Sequence, residues 1–488
     1  MSTNKLYYGD NLEVLPLHIQ DNSVDLIYLD PPFKSSQDYN VLFMEQDGSR
    51  SKAQIKAFED TWRWDQGSAE TYKKIVEAGG PVSKTMQAFH KLLGGNDMLA
   101  YLSMMAPRLK ELERVLKPTG SIYLHCDPTA SHYLKLLMDA AFGPQNFQNE
   151  IIWHYRKWPV GKYTFQKNHD VLFFYSKSPS RERTFNQLWM ERAPSTLKRF
   201  GKAKIVSGYD TEGRRIPSQM EDSESEGVRQ DDVWEIGRVP PIKQLFPTQK
   251  PNPLLERVIL ASSNEEDVIL DPFCGCGTTI IEAQRLNRRW IGIDITHLAI
   301  SLIKHRLYDA FGGKVDYEVI GEPVSIPDAQ TLAKEDPHQF QCWALGLVDA
   351  RTIDQKKGAD EGIDGRIYFH DDVKKAKTKQ IILQVKSGRV SPAHIRELWG
   401  VMEREEAEIG VFITLKEPTK GMIKDAADAG FYESIPWNQS YPRLQILTIE
   451  ELLGGGEIDY PPRRQIDRTF KKAPKAKGKK PKDQLPLT

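Results

Sequence analysis

The alternation of apolar and polar positions divides the chain into two α/β stretches separated by polar sequence. "SVDLIYLD" (23–30) is a short apolar run ending on an acid, and it predicts a buried strand. Between Asn96 and Leu116, the residues Leu99, Leu102, Met105, Leu109, Leu112 and Leu116 recur at helical spacing. "KPTG" then predicts the end of that helix, and "SIYLHC" (121–126) the next strand. "VILDPFCGCGTT" (268–279) passes from an apolar strand through a glycine-bearing turn into the helix "TTIIEAQRL". "RRWIGIDIT" (288–296) is again a strand ending in an acid. Strands alternating with helices predict a parallel α/β sheet. The mixed stretch from Lys34 to Gly95 reads as an insertion over the sheet edge, and residues 180 to 235 read as a polar, loop-rich region.

"GEPVSIPDAQTLAKEDPHQ" (321–339) reads as a polar linker. A second α/β pattern runs from about Phe340 to Leu453. Within it "GRIYF" and "IILQV" are strands joined by a lysine-rich turn, and "IGVFITL" (409–415) is a core strand. "SPAHIRELWGVMEREEAE" is a helix with Ser391 as cap and Pro392 in its first turn. The last residues, 456–488, are rich in lysine and proline and are predicted to be disordered.

The composition narrows this picture only a little. The chain has 488 residues, 39% of them hydrophobic, which suffices for two or three domains with cores. Lysine plus arginine, 67, equals aspartate plus glutamate, 67, so nucleic acid would have to be held by local patches. The four cysteines form no disulfide framework and no zinc spacing. Cys274 and Cys276, inside the glycine turn, read as small buried neighbours and not as a redox pair. No apolar signal region opens the chain and no 18-residue apolar run occurs, so a soluble, cytoplasmic protein is expected.

Two stretches carry candidate chemistry. Glycines at a strand-to-helix turn let a ligand approach the backbone, and Asp294 lies roughly 20 residues beyond, where dinucleotide folds place a ribose-binding acid. The turn has G-x-G-T-T with one glycine fewer than a nicotinamide site, which fits a ligand without a pyrophosphate, such as S-adenosylmethionine. In "LIYLDPPFKSS" (26–36) a strand ends on Asp30 and is followed by two prolines and an aromatic.

D-P-P-F beside D-P-F-x-G-x-G-T-T resembles the DNA amino-methyltransferases, and the order of the two motifs is that of the beta class. "FPTQKP" (246–251) is similar to the motif closing over the methionine end, and "YYGDNLEVL" (7–15) to the strand whose acid, Asp10, faces the adenine. "HDVLFFYSKS" (169–178) is similar to the strand closing the catalytic half. The resemblance implies a Rossmann-like methyltransferase domain over 1–320 that uses S-adenosylmethionine and acts on double-stranded DNA. Cofactor contacts would come from Asp10, Lys250, Asp271, Phe273, Gly275, Gly277, Thr278 and Asp294. Asp30, Pro31, Pro32 and Phe33 would be catalytic. Asp30 and the Pro31 carbonyl would accept from the exocyclic amine and free its lone pair, and Phe33 would stack on the extruded base. A cytosine-carbon enzyme would need a Pro–Cys pair, which is missing. The target-recognition region is placed at about 155–235. Its start, "WHYRKWPVGKYTFQK" (153–167), interleaves five aromatics with Arg156, Lys157, Lys162 and Lys167.

In the second stretch, "GIDG" with "QVKSG" resembles the Mrr-type branch of the PD-(D/E)xK restriction endonucleases, implying a smaller endonuclease-like α/β domain over 340–455. Asp364 and Gln384 would hold Mg²⁺, and Lys386 would activate water or stabilise the phosphorane. Three readings stay open: a fused restriction–modification protein, a methyltransferase whose second domain only binds DNA, and methylation of RNA or of a protein glutamine. Adenine is the favoured base over cytosine. A dimer is compatible with the sequence.

Overall fold

The structure, a computed structural model, describes residues 4–32, 64–157, 163–179, 182–209, 211–224, 227–240, 249–352, 362–369, 379–435 and 437–461. Phe33, the first half of "FPTQKP" (246–248), Lys162 and the tail from 462 lie outside the described residues.

The first domain is built on a nine-stranded sheet. Its strands are β1 (Asn4–Tyr8), β2 (Val24–Leu29), β3 (Leu116–Cys126), β4 (Phe147–His154), β5 (His169–Ser176), β6 (Val233–Glu235), β7 (Val268–Asp271), β8 (Arg289–Asp294) and β9 (Tyr317–Ile320). Their order across the sheet is β6-β4-β5-β3-β2-β7-β8-β1-β9. β5 runs antiparallel to β3 and β4, and the other pairings are parallel. Both faces are covered, as a parallel sheet requires. Ile27 and Leu29 face one core with Ile122, Leu124 and Leu109, whereas Leu26 and Tyr28 face the other with Tyr123, Phe174 and Trp290.

The helix predicted from Asn96 runs Asp97–Val115, and the Asn96 side chain accepts from the Leu99 N–H. "KPTG" does not delay the next strand, which begins at Leu116. The register jumps from Val24↔Leu116 to Leu26↔Ser121, so these residues bulge from the ladder. Lys117 is tied to Asp25 at 2.7 Å, and a Cβ on Gly120 would stand 2.9 Å from the Asp25 carbonyl oxygen. The described part of 34–95 is not an edge cover. It forms helices Gln66–Ala78 and Gly80–Leu93, whose Met86 and Phe89 join the core on one face of the sheet. The 180–235 region is more ordered than its polarity suggests. It contains helix Pro194–Phe200, a hairpin of Ala203–Tyr209 with Arg215–Glu224, and β6 at the sheet edge.

The second domain has a five-stranded sheet, β10 (Arg351–Thr352), β11 (Gly365–Phe369), β12 (Lys379–Lys386), β13 (Ile409–Thr414) and β14 (Leu444–Thr448), in that order. β11 and β12 are antiparallel, and β12, β13 and β14 are parallel. The stretch 321–339 is not an open linker: it contains helix Ile326–Glu335 and the start of helix Pro337–Leu347. Ser325 caps the first helix and Asp336 the second, while Ala329 packs with Phe340 and Trp343 in this domain's core. Ile458 and Tyr460 join the same core, so the domain also runs past 455.

Candidate functional site

Parallel strands carry their C-terminal ends to one sheet edge, and here β2, β7, β8 and β1 are consecutive neighbours. Each brings an acid to that edge: Asp30 follows β2, Asp271 and Asp294 end β7 and β8, and Asp10 follows β1 by two residues. This is the crevice outside the carboxyl ends where open α/β sheets bind ligands.

The turn after β7 is fixed from several directions. Asp294 accepts from the Gly275 N–H (2.9 Å) with one oxygen, and from the Thr296 N–H (3.0 Å) and hydroxyl (2.9 Å) with the other. Burial pushes the Asp294 carboxyl above its ordinary range, against these donors. Gly275 and Gly277 have φ of +47° and +72°, in the left-handed region that glycine tolerates. A Cβ on Gly277 would also lie 2.6 Å from Ile303 Cγ1. Thr278 is buried at the start of helix Thr278–Arg285, and the buried Arg306 donates to the Cys276 carbonyl. Cys274 and Cys276 are buried and unbridged, and burial holds the Cys274 thiol well above its usual value, which disfavours its reactive thiolate. Phe273 is half-buried against the core, and its N–H donates to Asp271 (3.1 Å). Burial pushes the Asp271 carboxyl up to about 7, opposed by the Thr279 hydroxyl and the Phe273 N–H and helped by the charges of Asp30 and Asp294.

Asp10 caps helix Asn11–His18, accepting from the Leu12 N–H (2.8 Å), and takes a two-pronged contact from Arg108 Nη2 at 2.7 and 2.8 Å. Its neighbour Asn11 donates to the Pro272 carbonyl (2.7 Å) and accepts from Arg108 Nε (2.6 Å). Arg108 and Asn11 therefore tie Asp10 to the glycine turn, a link that motif spacing does not reveal.

Asp30 meets Lys250, whose ammonium donates to the Asp30 carboxylate. Both side chains are largely shielded, 13% exposed for Lys250 and 19% for Asp30. Lys250, expected beside the cofactor, is thus paired with Asp30. Pro31 is buried and Pro32 half-buried. A second polar chain runs beside this pair. The Tyr28 hydroxyl meets His125 Nδ1 (2.8 Å), His125 Nε2 faces Asp170 (3.4 Å), and the Tyr155 hydroxyl donates to Asp170 (2.9 Å). Burial raises the Asp170 carboxyl, but the His125 hydrogen bond and charge, Lys250 and Tyr155 outweigh it and hold the group at about 2. The available signal for these residues was a polar position inside an apolar strand run, His125 in "SIYLHC" and Asp170 in "HDVLFF".

In the second domain Asp364 is buried beside β12, its carboxylate accepting from the Val385 N–H (2.7 Å) and its own N–H donating to the Leu383 carbonyl (2.9 Å). Gln384 is 1% exposed, and its Oε1 is sealed without a hydrogen-bond partner. Lys386 is half-buried two residues on and shares the Gln384 face of β12. Among the described residues no three His, Cys, Asp or Glu side chains form a metal cluster.

The family model described as DNA methylase matches residues 24–305. The chain belongs to the DNA methylase family. The methylase domain is followed by a match to the restriction endonuclease family model over 332–432. The chain is 34% identical to the type II methyltransferase M.HpaI of Haemophilus parainfluenzae over 217 residues, covering 44% of this chain and 61% of that protein. It is 23% identical to the type II methyltransferase M.BglII of Bacillus subtilis over 394 residues, 78% of this chain and 86% of the other. A DNA modification methylase of Thermus thermophilus, solved with S-adenosyl-L-methionine, aligns over 65% of this chain and all of its own, at 19% identity and a TM-score of 0.36. Among the described residues no helix is long and apolar enough to cross a membrane.

Proposed function

We propose that the methylase domain transfers a methyl group from S-adenosylmethionine to the exocyclic amine of a base flipped out of double-stranded DNA, with adenine favoured. The observation that carries this reading is the Asp30 carboxylate, held at the end of β2 by Lys250 and set beside the acids of β7, β8 and β1. The donor set fits the cofactor. Asp10 and Asp294 are each engaged by protein donors, but a carboxylate has about four acceptor sites, which leaves room for ribose hydroxyls and an adenine amine. When bound, the cofactor supplies an electrophilic methyl group.

The chain's own residues do the rest. The exocyclic amine is a poor nucleophile because its lone pair is delocalised into the ring. Asp30 and the Pro31 carbonyl draw its hydrogens toward themselves and restore that lone pair. Proline fixes φ, so the carbonyl is already placed before the base arrives. Placement supplies much of the remaining acceleration. Asp30→Ala should abolish methylation of duplex DNA while calorimetric affinity for S-adenosylmethionine stays within about threefold, since that acid meets the base. A mutant that binds cofactor tenfold more weakly, or that still methylates, overturns the assignment.

The second domain supports a metal-dependent endonuclease, giving a single-chain restriction–modification protein. The sealed, unpartnered Oε1 of Gln384 near Asp364 suits Mg²⁺, which takes oxygen ligands. There Asp364 and Gln384 would hold the ion and Lys386 would stabilise the phosphorane. Lys386→Ala should abolish cutting of unmethylated plasmid and spare methylation, whereas Asp30→Ala should be toxic to an unprotected host. Equal viability of Asp30→Ala and the Asp30→Ala/Lys386→Ala double mutant, with no cleavage in vitro, would leave this domain a DNA-binding module.

A further inference from the structure

Strands β4 and β6 pair in parallel, with Glu235 opposite His154. β4 also runs in the direction of β3 and β2, because β5 is antiparallel to both β3 and β4. The segments that follow β4 and β6 therefore leave the sheet at the edge where Asp30 follows β2. Each carries a cation three residues past its paired end, Lys157 after His154 and Arg238 after Glu235. Trp153 Nε1 donates to the Ile236 carbonyl (2.8 Å) and the Ile236 N–H to the His154 carbonyl (3.2 Å), which holds the two segments together.

Both cations lie on the ring of Tyr155. Lys157 Nζ is 4.8 Å and the Arg238 guanidinium 5.5 Å from its centroid. Trp153 and Tyr155 are 3% and 4% exposed, so neither offers a free face for stacking on a base. Lys157 and Arg238 are exposed, and neither forms an ion pair among the described residues. Partial burial and the like charges of Arg238 and Lys167 pull the Lys157 ammonium below its ordinary value, against the opposing charges of Asp170 and Asp127. An anion held between the two cations would relieve their repulsion. The same ring is linked toward Asp30. Its hydroxyl donates to Asp170 (2.9 Å), Asp170 faces His125 (3.4 Å), and His125 meets Tyr28 (2.8 Å), two residues before Asp30. Three strand spacings separate β4 from β2, roughly 14 Å. A duplex of that length carries roughly eight phosphates, so the backbone beside a base delivered to Asp30 falls within reach.

We propose that Lys157 and Arg238, held on Tyr155, form a phosphate-binding site for the backbone of duplex DNA beside the nucleotide whose base reaches Asp30. This rests on the reading of the first domain as a DNA amino-methyltransferase. Arginine can take a phosphate with two parallel donors, and lysine adds a point charge. Backbone contacts carry no base information, so this site sets the register of the duplex while its sequence is read elsewhere.

The test is fluorescence anisotropy of a labelled DNA duplex with the full-length protein, titrated at several salt concentrations. The slope of log affinity against log salt counts the phosphates engaged, about 0.9 per contact on duplex DNA. The Lys157→Gln/Arg238→Gln double variant should lower that slope by about 1.8, and each single variant by about 0.9. Binding should weaken alike on duplexes of different sequence. Lys73→Gln removes an exposed cation paired with Glu77, on a helix that packs on the opposite face of the sheet, and should leave the slope unchanged. Calorimetric affinity for S-adenosylmethionine should be unchanged in all these variants, which shows that the first domain is folded. A slope unchanged by the double variant, or lowered equally by Lys73→Gln, overturns the site, and Asp30-dependent methylation of the same duplex then keeps the methyltransferase reading. Preferential binding of duplex RNA that the double variant loses would give the patch to RNA and also overturn the proposal. A wild-type protein that neither binds nor methylates duplex DNA overturns both.

Discussion

Lys250 donates to the carboxylate of Asp30, although 220 residues separate the two in the sequence. The contact gives Asp30 a cation within hydrogen-bonding reach. It fixes the carboxylate and keeps a shielded anion compensated. In the proposed reaction the incoming amine would have to share or replace this donor. Lys250→Met should therefore lower kcat by more than about tenfold, with a smaller change in affinity for S-adenosylmethionine. Single-turnover methylation and calorimetry would separate the two effects. A variant with normal turnover and weakened cofactor binding would return Lys250 to the cofactor.

Asp170 is held at about 2, below its unfolded value near 4. Its contribution is thus present at neutral pH and is lost as pH falls from about 4 toward 2. Asp170→Asn should cost about 2 kcal/mol at pH 7, and the difference from wild type should shrink at pH 3. Urea unfolding at the two pH values is the measurement. A constant difference would mean that Asp170 acts through packing alone.

Asp271 has the opposite sign. Its folded value of about 7 lies above the unfolded one, so its protonated form favours the fold. That contribution is complete below about pH 4 and is lost as pH rises through about 7. Asp271→Asn keeps an acceptor for the Phe273 N–H and removes the charge. The mutant's melting temperature should match wild type at about pH 3.5 and exceed it by roughly several degrees at pH 8. A mutant less stable than wild type at pH 8 would refute the assignment.

Gly277→Ala adds a methyl group 2.6 Å from Ile303 Cγ1 at a φ of +72°. It should cost about 2–4 kcal/mol. Ile303→Ala in the same chain should recover the clash and leave about 1 kcal/mol of backbone strain. A double-mutant cycle by chemical denaturation reads this directly, and strict additivity would show that the two residues do not meet.

Local pattern determined a good deal of this protein. A strand ending on Asp30, a strand–glycine turn–helix at 268–279 and the spacing of Gln384 and Lys386 are legible because side-chain direction repeats every two residues in a strand and few residues accept a positive φ. The two α/β domains followed from the same periodicities. Polarity was a weaker guide: 321–339 forms helices because exposed helix faces are polar too, and "KPTG" sits in a strand because its extra residues bulge around Asp25. Tertiary structure alone decided which groups meet. Lys250 reaches Asp30, Asn11 reaches the Pro272 carbonyl, and His125 lies between Tyr28 and Asp170 because the strand order sets distant strand ends side by side. A strand's own residues fix which face it buries, but its neighbours are fixed by crossovers and by the closure of two cores around one sheet. No short window of sequence contains that information.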